Sequence, residues 1–245
     1  MQLPTGQLDT LRTEAATLLD GCAAAGIAAG EDDGLPGLPT LHQAFDQLFD
    51  VLARAEADQQ AGGSTGTADV TELGEYALQL TENLAGRVGQ TGDDSLRQSL
   101  AALTVNLALW IATHGGVIDT LEAVVDALAL FANTTLDTPA LTGLYSIIGT
   151  IINAVSPIIS QDLEKINPGR PWRVLLLNQS IVATRSHDTE LMEEAFAMLT
   201  ARLPEDAGRF FSEGMQQMDA LDYPAHVRKV MARYHRQWNV DRSLH

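Results

Sequence analysis

The segment between residues 170 and 187 carries the side chains that are best suited to bind a ligand. Arg170, Arg173 and Arg185 can hold an anion, because a guanidinium donates paired hydrogen bonds to carboxylates and phosphates. His187 stands beside Asp188, and an imidazole next to a carboxylate can act as a general base. The segment predicts one of two structures. It forms either an anionic-ligand pocket or a corner in which Asp188 caps a helix and the arginines pair with nearby acids.

Tryptophans in the C-terminal third are candidates for contact with a partner. Trp172 lies between Arg170 and Arg173, and Trp238 lies in a basic final segment with Arg233. Exposed tryptophan and arginine dominate the energetics of many protein interfaces. The basic segment is equally able to pair with the acidic N-terminal helices of its own chain. We expect the binding residues among Arg170, Trp172, Arg173, Arg185, His187, Arg233 and Trp238.

Motifs of the common enzyme classes are missing from the sequence. The two lysines, Lys165 and Lys229, do not follow a glycine, which excludes a P-loop. No glutamate stands three residues before any of the six histidines, so the di-iron bundle pattern is absent. A single cysteine, Cys22, excludes a disulfide framework and a cysteine-based metal site. The sequence therefore predicts no catalytic residue, cofactor or metal ligand and favours a non-enzymatic protein.

The charge of the chain is negative and unevenly distributed. The net charge is −17, and residues 1–160 hold 20 acidic and 4 basic side chains. Residues 161–245 hold 12 acidic and 11 basic side chains. A field of this sign repels phosphate backbones and anionic lipid headgroups. We therefore expect no nucleic-acid partner and no attraction to an anionic membrane surface.

The spacing of apolar residues is helical along almost the whole chain. Leu8, Leu11, Ala15 and Leu18 recur with alternating steps of three and four, the pattern of a helix packed along a narrow seam. No stretch alternates as a strand does. We predict an all-α fold without a sheet, in which about ten helices form stacked antiparallel hairpins. Either an irregular α-solenoid-like array or a multi-helix bundle fits this pattern.

Glycine-rich breaks and changes in charge suggest a division into domains. We predict an acidic helical hairpin over residues 1–60 and a Gly/Ser/Thr linker over 61–68. The main helical domain then covers 69–245, with apolar central helices and a basic C-terminal helix.

Two uncharged runs, residues 98–118 and 138–161, are long enough to be tested as membrane spans. Both contain polar residues or helix breakers, and basic residues do not flank them in a positive-inside pattern, so we expect buried core helices and no span. Two alternatives are an apolar groove for a partner helix and a hydrophobe-carrying bundle lined by Ile147, Ile151 and Val155. The N-terminal residues lack the pattern of a secretory signal, so the expected location is the cytoplasm of a bacterial-type cell.

Many short amphipathic helices without catalytic motifs favour an interaction or scaffold protein that binds another protein or a second copy of itself. The alternative function is a small-molecule-binding protein or an enzyme. It requires Arg170, Arg173, Arg185 and His187 to converge on one anionic-ligand pocket.

Overall fold

The computed structural model describes residues 3–26, 34–63 and 66–239. These residues form eleven α-helices and no β-strand, with one isolated bridge between Ile118 and Val155. The predicted all-α class is confirmed. The helices are α1 (Leu8–Ala24), α2 (Leu38–Gln60), α3 (Thr67–Thr91), α4 (Asp94–Thr113), α5 (Glu122–Thr134), α6 (Thr138–Ala154), α7 (Pro157–Ser160), α8 (Pro171–Arg185), α9 (Thr189–Arg202), α10 (Pro204–Ala220) and α11 (Ala225–Asn239).

The chain divides into two compact units. Unit 1 comprises residues 1–131 and 150–161, and unit 2 comprises residues 132–149 and 162–245. The predicted hairpin over residues 1–60 and the predicted linker over 61–68 both fall within the bounds of unit 1. Within unit 1, α1 and α2 contact α3 and α4, and α3 already begins at Thr67.

Unit 1 is built around a cycle of four helices. Helix α1 contacts α2 and α4, and α3 closes the cycle by contacting α2 and α4. Leu11, Ala15 and Leu18, which the sequence predicted along one face of a helix, are buried in α1. Gly74 lets α3 and α4 approach closely, because a Cβ atom there would lie 2.3 Å from the side chain of Ile111.

The first uncharged run lies largely in a buried helix, whereas the second ends in α7, which has no buried residue. The first fills α4, whose residues 103–111 are buried without interruption. The second forms α6 and α7, which are separated at Ser156, where a proline follows and the serine side chain accepts a hydrogen bond from the backbone of Ile158. Ile147, Ile151 and Val155 are buried in this second run. None of the helices formed by the described residues is both long and apolar enough to cross a membrane.

Unit 2 contains α8 to α11, and α9 contacts the other three helices. Residues typical of helix starts begin three of these helices: Pro171 opens α8, Asp188 caps α9 and Pro204 opens α10. Phe196 is the centre of an aromatic cluster, with edge-on contacts to Phe211 and Tyr234 at centroid distances of 5.1 and 5.2 Å. These contacts join α9 to α10 and α11.

Candidate functional site

Helix α8 places the four candidate ligand-binding residues at its two ends. Arg170 and Arg173 lie at the N-terminal end, whereas Arg185 and His187 lie at the C-terminal end. Because an α-helix rises 1.5 Å per residue, Arg173 and Arg185 are separated by roughly 18 Å along its axis. The four side chains therefore do not converge on one pocket, which was the geometry that the anionic-ligand alternative required.

Arg170 is a buried cation whose donors are all satisfied within the chain. Its guanidinium pairs with both carboxylate oxygens of Asp162, through Nε and through Nη2 at 2.9 Å. Nη1 donates to the backbone carbonyls of Lys165 and Asn167, and Nη2 also reaches Glu205 at 3.5 Å. These contacts use the five N–H groups of a guanidinium. The hydrogen bond to Asp162 raises the pKa of Arg170 and outweighs the opposing effect of burial.

A second set of ion pairs surrounds this buried pair. Arg173 donates to Asp206 at 2.7 Å and to the carbonyl of Pro168 at 2.8 Å. Lys165 lies 3.2 Å from Glu205, in the first turn of α10. Acidic side chains at a helix N-terminus are favoured by the helix dipole, so α10 stabilises these carboxylates. The arginines at this end of α8 are thus structural cations that join α8 to α10.

These contacts hold segment 162–169, which precedes α8, in one conformation. Asp162 adopts a left-handed backbone (φ 53°) that its buried side chain secures, and the side chain of Asn167 accepts a hydrogen bond from the amide of Gly169 at 2.9 Å. The same segment exposes two large aliphatic side chains. Leu163 is 78% exposed and Ile166 is 100% exposed. A segment that is held by these hydrogen bonds therefore presents apolar surface to solvent.

The predicted role of Trp172 as an exposed aromatic contact is wrong. Trp172 is only 4% exposed, because it shares the inward face of α8 with Leu175, Leu176 and Gln179. Trp238, near the end of α11, is half-buried. The indole nitrogens of both tryptophans are buried and have no hydrogen-bond partner among the described residues. Neither ring is a freely exposed anchor.

Arg233 belongs to an intramolecular cluster on α11 and α9. Its guanidinium pairs with Glu193 and lies over the ring of Tyr234, 5.0 Å from the centroid. The Tyr234 hydroxyl donates to the same carboxylate at 3.1 Å. Burial, followed by the hydrogen bond to Glu193, raises the pKa of Tyr234. The basic face of α11 is thus partly neutralised by α9.

At the other end of α8, His187 and Asp188 form the corner before α9. The Asp188 carboxylate caps α9 by accepting from the amides of Glu190 and Leu191, at 2.9 and 3.3 Å. The His187 ring makes an edge-on contact with Tyr223, with centroids 5.3 Å apart. Asp188 is therefore engaged with backbone amides, which is the capped-corner arrangement rather than a base–carboxylate pair.

Sequence reasoning missed Leu163 and Ile166. Both lie in a stretch without helical periodicity, between an acid and a proline-rich connection. Two aliphatic residues in such a stretch are the one sign of an exposed apolar surface that the sequence offers. Their exposure depends on Arg170, which binds the backbone carbonyls of the segment while the two side chains remain in solvent.

Comparisons with known protein families, with characterised proteins and with solved structures found no match to this chain.

Proposed function

We propose that this protein is a non-enzymatic interaction protein that binds another protein, or a second copy of itself, through segment 162–169. The exposure of Leu163 and Ile166 on a segment fixed by the buried Arg170–Asp162 pair is the observation that carries the proposal. The net charge of −17 favours a protein partner over nucleic acid. The helical units serve as the scaffold for this segment, and the proposed setting is the bacterial cytoplasm.

Burial of these two side chains provides the driving force for binding. Each large aliphatic side chain contributes about 1.5–3 kcal/mol when it moves from water to an apolar contact. Binding also requires the contacting segment to become ordered, which usually opposes association. Here Arg170 and Asn167 already hold the backbone, so less conformational entropy is lost. A rigid apolar projection of this kind fits a concave surface on a partner.

Replacement of both aliphatic side chains tests the proposal. The double variant Leu163→Ser and Ile166→Ser should keep its unfolding midpoint, because both positions are exposed, and should lose partner binding. Leu136→Ser is the matched control, since Leu136 lies in unit 2 and is 83% exposed. Sedimentation velocity over a range of concentrations measures self-association, and quantitative crosslinking in cells compares the proteins bound by each variant.

Wild-type protein and the control should show the same association or the same crosslinked partner, and the double variant should lose at least about tenfold in affinity. An unchanged set of partners in the double variant, together with unchanged sedimentation, would contradict the proposal. Loss of binding in the Leu136→Ser control to the same extent would also contradict it, because the effect would then not belong to segment 162–169.

A further inference from the structure

A cleft in unit 2 has the size and lining of a small-ligand site. It lies between α8, α10 and α11 and has a volume of about 480 Å³. Ligand sites are typically clefts of about 300–1,000 Å³ with a mainly apolar wall and a few polar groups. The apolar wall is formed by Ile181, Phe210, Met218, Leu221 and Met231. Methionine side chains adapt to the shape of an apolar ligand, so this wall suits a flexible chain.

Arg185 supplies a positive charge at this cleft that no carboxylate among the described residues neutralises. Its two terminal nitrogens donate to the backbone carbonyls of Ala132 and Thr135. Both carbonyls lie at the C-terminal end of α5, so the helix dipole offsets part of the charge, but no carboxylate pairs with it. The two contacts leave further N–H groups of the guanidinium for a ligand. The other half-buried or buried arginines in the described part of unit 2 differ in this respect. Arg170, Arg173 and Arg228 each pair with an aspartate.

Tyr223 provides a hydroxyl donor beside this cation. Tyr223 lines the same cleft, and its hydroxyl makes no hydrogen bond to the other described residues. The edge-on contact with His187 fixes the ring. Burial raises the pKa of Tyr223, and the positive charge of Arg185 partly opposes this rise. The electric field of the guanidinium therefore reaches the Tyr223 hydroxyl. The hydroxyl therefore stays protonated and can donate to an anion.

Glu213 is the carboxylate among the residues that line this cleft, and Asp222, between Leu221 and Tyr223 in sequence, is exposed and does not line it. Glu213 lines the cleft, but it is exposed and pairs with Arg209 at 2.6 Å. Asp219, near the end of α10, pairs with Arg228 at 2.5 Å. Among the residues that line the cleft, the charged group without an ion-pair partner is therefore Arg185.

We propose that this cleft binds an amphipathic monocarboxylate, with its apolar chain against Met218 and Leu221 and its carboxylate on Arg185 and Tyr223. A guanidinium and a phenol together match a carboxylate, which accepts hydrogen bonds on both oxygens. This site is independent of the proposed protein-binding segment 162–169, because it uses the opposite end of α8 and none of the same side chains.

Methionine methyl NMR on the full chain provides a local test. With ¹³C-methyl-labelled methionine, sodium decanoate below its micelle concentration should shift the signals of Met218 and Met231, which line the cleft. Met192, buried in α9, serves as the internal control. Decan-1-ol, which has the same chain without the negative charge, should bind at least about tenfold more weakly, since hydrogen bonds to charged groups are the stronger ones.

Two variants with matched controls assign the contacts. Ile181→Glu places a carboxylate at the rim and should weaken decanoate binding on the order of tenfold. The control Val51→Glu makes the same charge change at similar exposure, 39% against 42%, but in unit 1.

Tyr223→Phe should weaken decanoate binding about fivefold to tenfold, whereas its effect on decan-1-ol should be smaller. Tyr76→Phe, at an exposed tyrosine of α3, is the control for loss of a hydroxyl.

Four results would overturn the proposal. Decanoate could leave the Met218 and Met231 signals unchanged, or decan-1-ol could bind as tightly as decanoate, which would indicate a plain apolar groove. The Ile181→Glu variant could bind decanoate as the Val51→Glu control does. Concentration-dependent shifts of Met218 and Met231 without ligand would show that a second copy occupies the cleft. If the decanoate experiments give the expected results while the Leu163/Ile166 double variant keeps its partners, the proposed protein-binding function is wrong and the carboxylate site is still supported.

Discussion

Among single residues, the Glu14 carboxylate is held by the buried side-chain amide of Asn106, and its partial burial disfavours the charged form. Asn106 is buried in α4 and donates to both oxygens of Glu14, at 3.1 and 2.9 Å. Its carbonyl oxygen accepts from the amides of Thr5 and Gly6, at 2.7 and 2.8 Å. Burial raises the pKa of Glu14, and the hydrogen bond from Asn106 opposes this only in part. The charged carboxylate is therefore less favoured in the folded protein than in the unfolded chain.

The variant Glu14→Gln tests this balance. A carboxyl group whose pKa is raised on folding stabilises the protein below its unfolded pKa of about 4.3, and this contribution disappears as the pH rises through the folded value. A neutral glutamine still accepts from Asn106, so we expect a higher urea midpoint than that of the wild type at pH 7 and little difference at pH 4. Glu72→Gln, at an exposed position of α3, is the control and should not change the pH dependence. A lower midpoint for Glu14→Gln at pH 7 would show that the charged hydrogen bond outweighs burial.

At the scale of a whole element, the conformation of segment 162–169 depends on the side chain of Arg170, which follows the segment in sequence. Arg170 donates to Asp162 at the start of the segment and to the carbonyls of Lys165 and Asn167 within it. Arg170→Ala leaves Asp162 buried without its cation, and loss of one partner of a buried pair typically costs about 3–5 kcal/mol. We expect a lower free energy of unfolding and faster hydrogen exchange in peptides that cover residues 162–170.

Arg202→Ala is the control for this prediction. Arg202 is an exposed arginine at the end of α9, and its removal should leave both exchange and stability nearly unchanged. Equal exchange of residues 162–170 in the two variants would contradict the role of Arg170. Restored protection in a double variant, Arg170→Met with Asp162→Asn, would show that the unpaired charge causes the loss, because asparagine is neutral and also tolerates the left-handed backbone of position 162.

The same elements show what a sequence can predict. Helix starts at Pro171, Asp188 and Pro204 are local events, because a proline or a capping aspartate acts on the next turn of its own chain. Periodic apolar residues such as Leu11 and Leu18 likewise indicated the buried face of α1. For these reasons the all-α class and most helix positions could be predicted.

The candidate site could not be predicted in the same way, because exposure and pairing depend on the packing of distant elements. Trp172 has the residue type of an interface anchor, but its position on the inward face of α8 buries it. Arg170 and Arg185 are close in sequence, yet α8 separates them and gives them different partners. Tyr223 reaches the cleft near Arg185 only because α10 and α11 form a hairpin. None of these contacts is encoded in local spacing.

At the scale of the whole molecule, the two units differ strongly in charge. Unit 1 holds 19 acidic and 4 basic side chains, whereas unit 2 holds 13 acidic and 11 basic side chains. Like charges in a compact unit repel one another and lower its stability, and salt screens this repulsion. Unit 2 instead neutralises its acids locally, through pairs such as Arg173–Asp206 and Arg228–Asp219.

This difference predicts opposite responses to one added positive charge. Gln79→Lys, at an exposed position of α3 in unit 1, should raise the free energy of unfolding by about 0.5 kcal/mol at low ionic strength, because the lysine attracts the surrounding acids. The gain should vanish near 1 M salt, where the screening length falls to about 3 Å. Gln237→Lys, at an exposed position of α11 in unit 2, makes the same change among basic neighbours and should not raise the free energy of unfolding. Urea unfolding at both salt concentrations measures the two effects, and equal stabilisation by both lysines would mean that the charge imbalance between the units does not govern their stability.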